Sequence, residues 1–253
     1  AIAKAMYTSN LQPGQAPLTH QQQLQMLNDA HDSIAINPHY RKLAGVLADQ
    51  RVQSGDWSTA VWVWESIVAS RPHIAAIWRN LAQGYSLLGE HDSAQTALIQ
   101  VQRLQPDRPA TRTLELTLLT RAGQTEQAIE RLQQYYTQRD FSLDMVQMGY
   151  ALGLQTQQWE LAVRSLELRN ASWPELAGDG LFRLGMIFDN TDPTVHDEAR
   201  ALAAFQAGLR AVPPEQQEAY RSRVPAKYQG RMLQSRPQAA LSTHAAALSL
   251  PIQ

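Results

Sequence analysis

Residues 75–108 read AAIWRNLAQGYSLLGEHDSAQTALIQVQRLQPDR, and this stretch of 34 residues decides the fold. Trp78, Leu81, Ala82 and Tyr85 recur at three- and four-residue steps, which gathers them on one face of a helix. Gly89 follows, where a helix that closes in left-handed geometry favours glycine. Ala94 and Leu98 then mark the apolar stripe of a second helix, and Pro106 stops it. The stretch therefore predicts two antiparallel helices joined by a tight turn.

The same marks recur on both sides at a fixed step. Pro38, Pro72 and Pro106 are 34 residues apart, as are Gly55, Gly89 and Gly123, and Ala60, Ala94, Ala128 and Ala162. The period predicts hairpins over about 41–74, 75–108, 109–142 and 143–176. Alanine at the shared offset lets the two helices of a hairpin approach; a larger side chain there overpacks by about 1–3 kcal/mol.

The fourth hairpin keeps Ala162, Leu166 and Pro174 but carries Gln157 where glycine is expected. Gly149 and Gly153 fall inside its first helix, each less favourable than alanine by about 1 kcal/mol, so this helix is expected to be the least regular. A fifth hairpin, with Ala201, Phe205, Gly208 and Pro213, fits only after a five-residue insertion, placed at the polar run 189–193. Residues 19–36 suit a helix that opens the array as a half repeat, and 215–234 suit a capping helix. Residues 1–18 read as an extended lead-in, and 235–253 as a tail that is either a short helix or disordered.

Composition bounds the function. A formal net charge of −1 supplies no field for nucleic acid. With no cysteine, disulfides and thiolate chemistry are excluded. No apolar run approaches the roughly 18–20 residues of a membrane span, so no membrane insertion by this segment is expected, though tethering to a membrane domain is compatible with it. The opening Ala1-Ile2-Ala3-Lys4-Ala5 reads as the start of a mature or excised segment.

No nucleophile elbow, phosphate loop or zincin motif is present, so no catalytic residue, cofactor or metal is expected. His39 and His73 are one repeat apart, too far for one ion. His196-Asp197-Glu198 reads better as a helix start, with its acids at the positive end of the helix dipole. Among the tryptophans, Trp64 and Trp78 hold core offsets. Trp62, about 200° around the helix from Trp64, is expected to be the exposed aromatic.

Residues 19–234 resemble an array of tetratricopeptide (TPR) repeats. The resemblance implies an all-α fold, a right-handed TPR superhelix (α-solenoid) of about five helix–turn–helix repeats plus terminal helices. It also implies a protein or peptide ligand held on a concave face built by first helices. Projected offsets place Lys42, Asp49 and Gln53 there from the first repeat, and Arg79, Gln83 and Ser86 from the second. Thr113, Thr117 and Arg121 follow from the third, and Asp144, Gln147 and Gln155 from the fourth. TPRs that clamp chaperone tails need basic residues and asparagine at set offsets; Asn80 matches, but Gly45, Asp49 and Ala110 do not.

A narrower resemblance rests on Asn37-Pro38-His39-Tyr40-Arg41-Lys42-Leu43, on Gly55-Asp56-Trp57 with Trp62-Val63-Trp64-Glu65-Ser66, and on Leu168-Arg169-Asn170-Ala171-Ser172-Trp173-Pro174. These stretches are similar to the soluble C-terminal TPR region of bacterial membrane glycan polymerases and ligases, the O-antigen ligase and protein O-oligosaccharyltransferase superfamily. The resemblance implies a non-catalytic periplasmic module. The alternatives are a free-standing adaptor in envelope or pilus assembly, a cytoplasmic regulator, and an accessory domain that binds glycan through Trp62.

Overall fold

The computed structural model describes residues 41–232, together with Gln25 and Asp29 of a preceding helix, where the Gln25 amide donates to Asp29 at 2.9 Å. The expectations for 1–18, for the rest of 19–36, for Pro38 and His39, and for 235–253 lie outside the described residues. Among the described residues, ten helices alternate in hairpins: α1 (Arg41–Gln53), α2 (Trp57–Ser70), α3 (Ala75–Leu87), α4 (His91–Leu104), α5 (Pro109–Arg121), α6 (Thr125–Thr137), α7 (Leu143–Gln155), α8 (Trp159–Ser172), α9 (Ala177–Phe188) and α10 (Glu198–Ala211). Two short helices follow, α11 (Gln217–Arg223) and α12 (Ala226–Gln229). There is no strand among the described residues. None of their helices is long and apolar enough to cross a membrane.

The hairpin turns follow the glycine period. Gly55, Gly89 and Gly123 have φ of 77°, 80° and 73°, the left-handed geometry that glycine adopts without a Cβ penalty. At the fourth turn Gln157 takes the same place at φ 57°. Arg139, after α6, is left-handed too, at φ 55°. The turn geometry is therefore kept where the glycine is not.

The chain forms two compact units, residues 1–145 and 146–253, with the division inside α7. In the first unit, Ala60, Ala82, Ala94 and Ala128 are all essentially buried, and small side chains at the helix crossings let Leu47, Leu81, Leu98 and Val101 fill the core. Trp64 is buried among them, and Trp57 and Trp78 pack half-buried against the same core. The Trp78 indole donates to the Pro72 carbonyl at 2.7 Å, fastening α3 to the loop before it.

The first helix of the fourth hairpin, expected to be the least regular, is α7. α7 is one unbroken helix. Gly153 is buried, and a Cβ on it would lie 2.6 Å from the Ala162 backbone nitrogen. The glycine serves a close helix crossing instead of loosening the helix.

The predicted insertion is the connection from α9 to α10. Its centre is Asp192, whose carboxylate accepts from the Thr194 amide at 2.9 Å, the Thr194 hydroxyl at 2.6 Å and the Trp159 indole at 2.7 Å. Those bonds hold the Asp192 carboxyl below its ordinary pKa of 3.8. Asp197 caps α10 by accepting from the Arg200 amide at 2.9 Å. The His196 ring meets the Asn190 carbonyl at 2.8 Å. No group of three potential metal ligands forms among the described residues.

Beyond α10 the single capping helix expected over 215–234 is two. Val224 is extended (φ −70°, ψ 138°), as the residue before a proline tends to be, and Pro225 separates α11 from α12. Tyr220, Val224, Tyr228 and Met232 are buried against Phe205 and Leu209 of α10 and Phe188 of α9. The Tyr228 hydroxyl donates to Asp189 at 2.7 Å, and Lys227 pairs with the same oxygen at 2.5 Å. Phe182 meets Tyr220 edge-on at 5.6 Å between ring centroids.

Candidate partner-binding surfaces

In the first unit, the helices that open each hairpin carry half of the projected site residues on their solvent side. Asp49 and Gln53 of α1, Gln83 of α3 and Arg121 of α5 are exposed. Leu87 follows Gln83 by four residues, on the same helix face, and is 43% exposed. Polar-residue reasoning overlooked it. Its signal was an apolar side chain outside the core stripe.

Other projected residues are placed differently. Ser86 is buried, and its hydroxyl finds no hydrogen-bond partner, so it is not a surface contact. Arg79 is half-buried and donates through Nη2 to the Gln105 side chain at 3.0 Å, tying α3 to the end of α4. Thr117 and Thr113 are half-buried and spend their hydroxyls on carbonyls of their own helix, at 2.8 Å to Thr113 and 3.2 Å to Pro109. The side chain of Lys42 lies outside the described residues. Asp144 is exposed in the first unit, as are Gln147 and Gln155 in the second.

Trp62 is corrected. It is half-buried and packs against the core of the first unit. A 200° offset from Trp64 takes a side chain off one helix neighbour, but in a layered array the opposite side of a helix can face another. An exposed indole platform for sugar is therefore not present at Trp62.

Among the described residues, each unit holds an open cleft. One of about 280 Å³ in the first unit is lined by Ser86, His91, Gln95, Leu118 and Gln124, among others, near the turn ends of α3 and α5. The other, about 420 Å³, lies in the second unit, among Gln147, Tyr150, Ala151, Leu166, Arg169 and Arg183. There Arg183 Nε donates to Asp179 Oδ2 at 2.8 Å and Arg169 Nη2 reaches the same oxygen at 3.3 Å. The Arg183 guanidinium lies over the Tyr150 ring, 5.3 Å from its centroid. Arg169 has a side chain only 11% exposed, and its Nη1 is buried with no hydrogen-bond partner.

Neither arginine was read as a site residue, although Arg169 falls in the stretch 168–174, yet the period held a signal. Ile67, Val101, Tyr135 and Arg169 are 34 residues apart. Ile67 and Val101 are buried core residues, whereas the fourth repeat puts a cation at that offset.

No family model matches the chain, and no curated protein matches it. Solved structures do. MamA protein superposes with a TM-score of 0.52 at 14% identity, over 71% of this chain and 94% of MamA. A chain of Naa15/Naa10 bound to HypK-THB matches with a TM-score of 0.53 at 13% identity, over 87% of this chain and 34% of the longer one. YrrB, described as a TPR protein with an unusual peptide-binding site, matches over 77% of this chain with a TM-score of 0.45 and 12% identity. At these identities the likeness to MamA and to the Naa15/Naa10 chain concerns the fold alone, an all-α TPR solenoid.

Proposed function

We propose that this chain is a non-catalytic scaffold for protein–protein interaction, working through the solvent faces of its first helices. The observation that carries this reading is the recurrence of exposed side chains at matched offsets: Asp49 and Gln53, then Gln83 and Leu87, then Arg121. A repeat array presents such positions as one extended surface, which suits a peptide or a protein segment better than a compact metabolite. Arg121 is the expected anchor, because its planar fork matches a carboxylate and arginine is enriched at binding hot spots.

The finer reading comes from the sequence stretches over 37–43, 55–66 and 168–174. They support a periplasmic module of a bacterial membrane glycan polymerase or ligase, tethered to the membrane part and contacting it, an acceptor protein or an assembly partner. Two observations test it. The reading frame upstream of Ala1 should continue into membrane-spanning segments, and a start codon immediately before Ala1 would overturn the tethered form in favour of a free-standing adaptor. Affinity capture from solubilised envelopes should recover a discrete partner that a Gln83→Ala/Arg121→Ala variant loses. Equal recovery by the folded variant would remove the first-helix surface from the account.

A further inference from the structure

We infer that the second unit holds a separate carboxylate-binding cleft, built by Arg169 and Arg183, that receives an acidic peptide. The inference deepens the interaction reading above and rests on it. Three observations converge. The cleft is about 420 Å³, room for a few peptide atoms beyond a single ion. Its charge is unbalanced, because two guanidinium groups converge on one oxygen of Asp179. One donor has no partner: Arg169 Nη1 is buried against Gly180 of α9, although a buried guanidinium N–H normally has one.

The remaining lining chooses among anions. Tyr150, Ala151, Val146 and Leu166 give an apolar wall, and Gln147 a neutral amide with both a donor and an acceptor. An inorganic phosphate would leave that wall unused. A peptide places its carboxylate on the arginines, an apolar side chain on Tyr150 and Leu166, and a backbone amide on Gln147. The position of Arg169 supports a built feature, since it replaces the buried Ile67 and Val101 of earlier repeats at a fixed offset. Asp179 then acts as a placeholder that orients both forks before the ligand arrives.

The carboxylate has two sources, a peptide C-terminus or an aspartate or glutamate side chain, and the test separates them. The arginine Nε–H signals of the whole chain are followed by NMR during titration with three short probes. These are Ac-Ala-Leu-Ala with a free C-terminus, the same peptide amidated, and Ac-Ala-Leu-Glu-Ala amidated. Saturable shifts at Arg183 and Arg169 with one or both acidic probes, absent with the neutral one, are expected. Arg183 is 45% exposed, so Arg183→Gln should keep the fold. It should weaken the acidic probe about tenfold or more. Arg169→Gln is the second variant, compared after its fold is verified.

Equal shifts with the neutral probe, or with inorganic phosphate in place of every peptide, would overturn the peptide cleft. So would the absence of saturation into the millimolar range. Crosslinking of a partner from Gln83 reads the first-helix surface independently. If that crosslink forms while no probe binds the wild-type chain, only the cleft falls. Loss of that crosslink in wild type would instead sink the interaction reading itself.

Discussion

Gly153 of α7 lies so close to Ala162 of α8 that a Cβ on the glycine would stand 2.6 Å from the alanine nitrogen and 2.9 Å from its Cα. Backbone atoms cannot swing aside as a flexible side chain does, so the two helices cross at a distance only glycine allows. Gly45, inside α1, has nothing within 4 Å of the equivalent point.

The two glycines should therefore respond oppositely to alanine. Gly153→Ala is expected to lower stability by about 1–3 kcal/mol through overpacking, outweighing the gain in helix propensity. Gly45→Ala should raise it by about 0.5–1 kcal/mol. Urea unfolding of both variants measures this, and a stabilised Gly153→Ala would mean that the crossing is looser than the geometry states.

The turn after α7 supplies a second contrast. Gln157 sits at φ 57°, where the three preceding hairpins use glycine. Left-handed geometry costs a side-chain-bearing residue about 1–2 kcal/mol, partly offset by the greater unfolded-state freedom of glycine. Gln157→Gly should stabilise by about 0.5–1 kcal/mol, and Gly89→Gln should destabilise by a similar amount. Thermal melting of both decides it.

How much of this was legible follows from what the period encodes. Turns and hairpin crossings depend on small residues, so Gly55, Gly89, Gly123 and the alanines from Ala60 to Ala162 revealed them directly. Surface placement was harder. Ser86 and Trp62 were assigned by offset, but whether such a position faces solvent depends on the neighbouring helix, which the period does not specify. The Arg169–Arg183 cleft was missed because its members come from the end of α8 and the middle of α9, with no local motif. Pro225 was visible, yet a helix was read across it.

The loop between α9 and α10 should respond to acid. The Asp192 carboxyl, held below its ordinary value by bonds from Thr194 and the Trp159 indole, stabilises the folded loop fully above the unfolded pKa of 3.8. That stability is lost as pH falls through the lower folded value. Asp192→Asn should flatten the acid limb of the unfolding profile and alter Trp159 emission at neutral pH. An acid limb identical to wild type would remove Asp192 from the account of this loop.

The end of the array makes a further claim. Tyr220, Tyr228 and Met232 cover Phe205 and Leu209. A chain ending at Pro213 should therefore expose that apolar surface and aggregate, as an uncapped repeat does. Sedimentation against the full chain at matched concentration is the check. A monomeric shortened chain of unchanged stability would contradict the packing role of α11 and α12.

If first-helix faces meet a protein partner, as proposed, site-specific photocrosslinking in the native cell will capture that contact. A photoreactive residue is placed at Gln83 or Arg121, and for comparison at Ile99 of α4 or Glu130 of α6, all four exposed. A discrete protein adduct from Gln83 and Arg121, absent from Ile99 and Glu130, is the predicted result. Adducts only from the second-helix positions, or none from Gln83 and Arg121 in a folded chain, would contradict it.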